Sequence, residues 1–230
     1  MTFFLNTPLF GILISLISFE IGIFLSRRYK LAIFNPLLIA NILLIGFLFL
    51  TGISLDTYNL GGDYISFFLS PATVVLAVPL YKQLPNLRQN IVPILAGITA
   101  GCLVSILCVV LFASLANLSE PLWISLVPKS ITTPMGVELS KEIGGIPAIT
   151  VIAIVVTGIT GAIVAPFVCR IFRIHDEIAQ GIAIGTASHA VGTTRAMEMG
   201  EIQGAMSSLA IGITGIITAI IAPWIVHFQL

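Results

Sequence analysis

Gly185–Glu201 reads GTASHAVGTTRAMEMGE, and the fold turns on how that stretch is interpreted. It is about as long as a membrane span, yet it carries hydroxyls and ionisable groups where lipid would forbid them. A second stretch of the same character, PKSITTPMG at Pro128–Gly136 followed by VELSKE, lies earlier in the chain. Inside a bilayer such segments persist only when buried against protein or lining a watery cavity. Both are therefore expected to be working parts of an otherwise oily chain.

The rest of the sequence supplies the membrane. Of 230 residues, 57% are hydrophobic and 9% charged, and mean hydropathy is +1.11. A soluble domain carries roughly 25% charged residues, so this composition belongs to an integral membrane protein. The net charge of zero argues against a nucleic-acid partner. Pro8–Leu25 is followed by Arg27, Arg28 and Lys30 rather than by a small-residue cleavage site, which makes it a retained span. Cys102, Cys108 and Cys169 sit in apolar runs without metal-ligand spacing and are expected to be buried free thiols. No catalytic motif of the HExxH, Gly-x-Ser-x-Gly or P-loop kind occurs, so neither an enzyme nor a bound metal or cofactor is expected.

Working outward from the two polar stretches, apolar runs long enough to cross about 30 Å of hydrocarbon are Pro8–Leu25, Leu31–Ile53, Tyr64–Tyr81, Ile91–Ala116, Ile146–Val168 and Gly204–Val226. The polar stretches occupy Trp123–Gly145 and Ile178–Gly200 between them. Arg27, Arg28 and Lys30, then Lys82 and Arg88, mark cytoplasmic loops, which puts the N-terminus outside. Arg170 and Arg173 join them only if Trp123–Gly145 dips into the membrane and returns to the same side. The expected fold is thus an all-α polytopic membrane protein of about six transmembrane helices plus two re-entrant segments entering from opposite faces. Eight full crossings are the alternative.

Self-similarity favours the first arrangement. TGITGAIVAPF at Thr157–Phe167 returns as TGIITAIIAPW at Thr214–Trp224, 57 residues on, and a polar stretch precedes each copy. A unit of one re-entrant segment and one span contains an odd number of crossings, so its copy is inverted. Inverted repeats with broken helices are typical of secondary transporters. A fainter echo pairs Leu69–Leu84 with Leu126–Ile143.

Re-entrant tips expose helix N-termini, whose free N–H groups favour a carboxylate. Ser130, Thr132 and Thr133 surround the first break, while Thr186, Ser188, Thr193 and Thr194 surround the second. Lys129 and Arg195 are the cations expected near an anion, Arg195 through a bidentate clamp. Structural pairs, Lys129 with Glu120 or Glu138 and Arg195 with Glu198 or Glu201, are the bland alternatives. His189, Glu138 and Glu201 are the groups suited to carrying a coupling proton or cation.

FLSPATVVLAVPLYKQ, PKSITTPMGVELSKEIGG, GIAIGTASHAVGTTRAMEMGE and QGAMSSLAIGITG, in that order, resemble the LrgB/CidB family over essentially the whole chain. The resemblance implies one LrgB-like membrane domain, 1–230, here divided into repeat-like units near 122–172 and 178–228. It also implies either of two functions. One is transport of small monocarboxylates such as glycolate, glycerate or pyruvate, as in a plastid relative. The other is an antiholin-like role in murein hydrolase export and cell lysis. A small LrgA/CidA-like membrane partner and a cell (inner) membrane location follow from the resemblance, and a homodimer is expected. Lys129, Ser130, Thr132, Thr133, Ser188, His189, Thr194 and Arg195 are the motif residues present for an implied site.

Overall fold

The computed structural model describes residues 6–29, 34, 36–68, 71, 81, 88 and 90–229. The described residues form an all-helical membrane protein with four helices long and apolar enough to cross a bilayer. These are α1 (Pro8–Tyr29), α4 (Ile91–Ala116), α7 (Pro147–Ile171) and α9 (Glu201–Gln229). Two further stretches expected to cross behave differently. Leu31–Ile53 is represented by the shorter helix α2 (Pro36–Thr51). Tyr64–Tyr81 begins within α3 (Leu55–Phe67), and most of its remainder lies outside the described residues, as does most of the Leu69–Leu84 echo.

The chain divides into two compact units, Met1–Val75 and Leu76–Leu230. In the first, α1 packs against α2 and α3 through small residues. A Cβ placed on Gly61 would stand 2.8 Å from Gly11 Cα, and one on Gly22 would stand 3.0 Å from Pro36 Cα. Such contacts let membrane helices approach backbone to backbone. Ser15 Oγ and Tyr58 OH share a hydrogen bond of 2.9 Å across the same crossing.

Among the described residues, the second unit holds three long helices and two helical hairpins. The first hairpin consists of α5 (Glu120–Leu126), a 3-10 turn (Val127–Ser130) and α6 (Thr133–Glu142). Ile131 (φ −106°, ψ 176°) and Thr132 (φ −67°, ψ 149°), both extended, break it. Thr150 Oγ1 on α7 reaches both the Ser125 carbonyl (2.8 Å) and Ser140 Oγ (2.7 Å). Run straight as one helix, Ser125 and Ser140 would be about 22 Å apart. The chain therefore doubles back.

The second hairpin lies within α8 (Glu177–Met199) and turns at His189, whose φ of 44° and ψ of −142° leave the helical region. A Cβ on Gly185 would sit 2.8 Å from Ala210 Cβ and from Ser207 Cα of α9. Thr193, beyond the turn, bonds the same Ser207 at 2.7 Å. The arm before His189 thus runs with α9 and the arm after it runs against α9. Boundaries of the hairpins recur 57 residues apart: N-caps Ser119 and Asp176, helix starts Glu120 and Glu177, breaks Thr132 and His189, ends Glu142 and Met199.

Two apolar clusters tie this unit together. Ile94, Ile98 and Cys102 of α4 meet Ile182 of α8 and Met206 of α9. Ile106 and Val109 meet Val127, Ile131 and Leu139 of the first hairpin. Outward-facing Leu107, Leu111 and Phe112 of α4, Phe167 of α7 and Ile216 and Trp224 of α9 remain exposed, which is the surface a lipid tail covers.

Candidate functional site

Along one face of α4 the sequence places a small residue or proline at every fourth position. Gly97, Gly101 and Ser105 form a small-residue stripe, with Pro93 one turn before them, and the first arm of α8 runs alongside it. Only a glycine fits at 101, where a Cβ would stand 2.7 Å from Thr186 Cγ2. Between these walls lies a cavity of about 660 Å³. One end is bounded by Asn90 and Asp176, where both helices begin, and the other by Ser105, Cys108, Lys129, Ser130 and Thr186. Its sides are mostly apolar, with Val104, Ile178, Ile182 and Ala183 among them.

The end near Ser105 holds Lys129, the one lysine or arginine lining the cavity among the described residues. Lys129 Nζ donates to Ser105 Oγ at 2.7 Å and to Ser130 Oγ at 3.3 Å, and the two hydroxyls are 3.0 Å apart. Ser105 is the fifteenth of the 26 residues of α4, so this group stands near the middle of a membrane-length helix of about 39 Å. Glu138 is paired with Lys141 at 2.7 Å and Glu198 with Arg195 at 2.6 Å, so neither answers Lys129. Thr186 Oγ1 is buried without a hydrogen-bond partner among the described residues. Thr186 follows Lys129 by the same 57 residues, so equivalent positions of the two hairpins line one cavity.

The other expected residues take different places. Thr132 caps α6 and Thr133 opens it, both partly buried and neither lining the cavity. Ser188 and His189 turn toward α7, where Gly158 and Gly161 form a notch. A Cβ on Gly158 would be 2.5 Å from His189 Cε1, and one on Gly161 would overlap Ser188 Oγ. His189 Nε2 donates to the Ile154 carbonyl at 2.8 Å, since a carbonyl can only accept. Thr193 donates to the His189 carbonyl at 3.0 Å and shares its bond with Ser207. Thr194 is exposed and bonds back to the Ala190 carbonyl. Arg195 keeps to its local pair, and Glu138 and Glu201 are exposed. The structure thus brings Lys129, Ser130 and Thr186 into the cavity, adds Ser105 and Cys108 to them, and uses Ser188, His189 and Thr193 to seat the second tip. Among the described residues no three His, Cys, Asp or Glu side chains come together as a metal would require.

Ser105 lies in an apolar run outside both polar stretches, and Cys108, expected to be buried like Cys102 and Cys169, is instead exposed at the cavity. The stripe of small residues four apart is the signal that marks their face.

Comparison with known proteins places this arrangement. The profile of the LrgB-like family matches residues 15–228. The chain belongs to the LrgB-like family. Antiholin-like protein LrgB of Bacillus cereus is 38% identical over 223 residues, covering 96% of this chain and 97% of the relative. The same figures hold for antiholin-like protein LrgB of Bacillus anthracis. No solved structure matches this chain. The LrgB-like match, residues 15–228, takes in both hairpins and every residue that lines the cavity.

Proposed function

We propose that the protein is a secondary transporter of small monocarboxylates, of the glycolate, glycerate or pyruvate type, working by alternating access around the two hairpin tips. One observation carries this reading: Lys129 stands level with the middle of α4 in a cavity lined by both hairpins, held among the described residues by the hydroxyls of Ser105 and Ser130. Intramembrane cations at such depth mark substrate and ion paths. In this reading the hairpins are re-entrant segments from opposite faces, and the units near 122–172 and 178–228 are inverted copies of each other. The equal spacing of their breaks and caps supports that relation. The substrate carboxylate meets Lys129 and Ser130, with Ser105 and Thr186 near its hydroxyl or keto oxygen. The protein works in the cell membrane with its N-terminus outside, as a homodimer beside an LrgA/CidA-like partner.

The second reading is an antiholin-like modulator of murein hydrolase export, and the names of the relatives favour it more directly than they favour transport. Reconstituted protein tested with labelled glycolate and pyruvate separates the two. Saturable uptake that unlabelled substrate competes away is expected. A non-saturating leak of unrelated solutes would leave the antiholin-like reading in place.

A further inference from the structure

Among the described residues Lys129 has no carboxylate partner, the counter-ion that a resident ammonium near the middle of a membrane helix would ordinarily need. Its two hydrogen-bond partners are hydroxyls, Ser105 Oγ at 2.7 Å and Ser130 Oγ at 3.3 Å. A hydroxyl accepts from an ammonium and donates to a neutral amine equally well, whereas a carboxylate would hold only the charged form. The Ser105–Ser130 contact of 3.0 Å can turn either way, so the pair can follow a change at Nζ without moving a heavy atom.

Resting on the transport reading, we propose that Lys129 carries the coupling proton as well as the anion, making the protein an electroneutral proton–monocarboxylate symporter. Proton and carboxylate load together as an ammonium–carboxylate pair. The empty carrier returns with a neutral amine, after the proton has left with the anion. No bond other than N–H is made or broken, and each cycle moves one proton and one negative charge in the same direction.

The surroundings of Lys129 suit this cycle. On α4 the titratable group facing it is the Cys108 thiol. On α8 the same end of the cavity offers Thr186, while Asp176 lies at the opposite end and caps the helix by accepting from Ala179 N. His189 is committed to the Ile154 carbonyl of α7. Glu120 of α5, Glu142 of α6 and Glu201 of α9 are exposed at helix ends, and Glu138 is held by Lys141.

The test uses wild-type protein in liposomes, with protein-free vesicles subtracted to remove diffusion of undissociated acid. Saturable pyruvate uptake should be driven several-fold uphill by an inside-alkaline gradient, should ignore an imposed voltage, and should alkalinise the medium by one proton per anion. Lys129→Arg, which keeps its charge at any working pH, should lose uphill accumulation, whatever exchange of labelled for unlabelled pyruvate it retains. Accumulation by Lys129→Arg under the pH gradient would overturn the assignment to this residue. If that variant neither exchanges nor accumulates, the wild-type proton count decides, and a count of zero overturns the proposal. Saturable wild-type uptake that follows voltage and ignores pH sinks the coupling alone. Absence of any saturable uptake sinks the transport reading beneath it.

Discussion

The two hairpins share a shape and divide the labour. The first is fastened at its base, where Thr150 Oγ1 bridges the Ser125 carbonyl and Ser140 Oγ, and Ser125 Oγ accepts from Ile146 N at 2.6 Å. Its tip is left facing the cavity with Lys129. The second is fastened at its tip, where the Gly158–Gly161 notch takes Ser188 and His189. Its arms then lie against α9 through Gly181, Gly185 and Thr193. One tip can therefore carry a charge while the other carries backbone strain of about 1–3 kcal/mol at His189. Equivalent positions, Lys129 and Thr186, meet the same cavity with different chemistry.

Substitutions can break that division. Lys129→Met should give the largest effect. Losing a charge-assisted contact of about 2–3 kcal/mol implies roughly 30- to 150-fold weaker uptake, without loss of folded protein, because only two hydroxyl contacts go with it. Unfolding in detergent as severe as that of a core variant would make the lysine structural. Next, Gly161→Val should destabilise by about 1–3 kcal/mol, the usual cost of overpacking, because Ser188 fills the notch. Gly215→Ala, facing the mobile end of Met135 in the first hairpin, should cost under about 1 kcal/mol. Equal melting losses for the two would erase the contrast between a locked tip and a free one. Thr193→Val should lose about 0.6–1 kcal/mol with its bond to Ser207, read as a small drop in midpoint temperature. Arg195→Ala should be the mildest, within about 0.5 kcal/mol in stability, since its pair with Glu198 is solvent-exposed. A collapse of anion uptake in that variant would shift the site to the outer arm of the second hairpin.

Much of this architecture is written locally. The polar breaks, the glycines and the prolines locate both hairpins, because a bilayer tolerates such residues only in protein-lined places. Ser119 and Asp176 begin the hairpins where N-caps are expected, and Asp176 Oδ1 accepts from Ala179 N at 2.7 Å. Side-chain destinations are another matter. Ser130 and Ser188 both flank a break, yet one faces the cavity and the other a glycine notch. Arg195 and Lys129 both sit in polar stretches, but only Arg195 has a carboxylate one turn away on a regular helix.

The sequence by itself determined that this is a multi-pass membrane protein with two broken polar segments, since hydropathy and chain breaks act through neighbours a few residues apart. Tertiary structure alone decided that Lys129 would meet Ser105, 24 residues earlier in an apolar helix. It likewise decided that His189 would be spent on Ile154, 35 residues away. Such partners are chosen by which helix faces pack, and packing depends on the shapes of both faces at once rather than on either segment read alone.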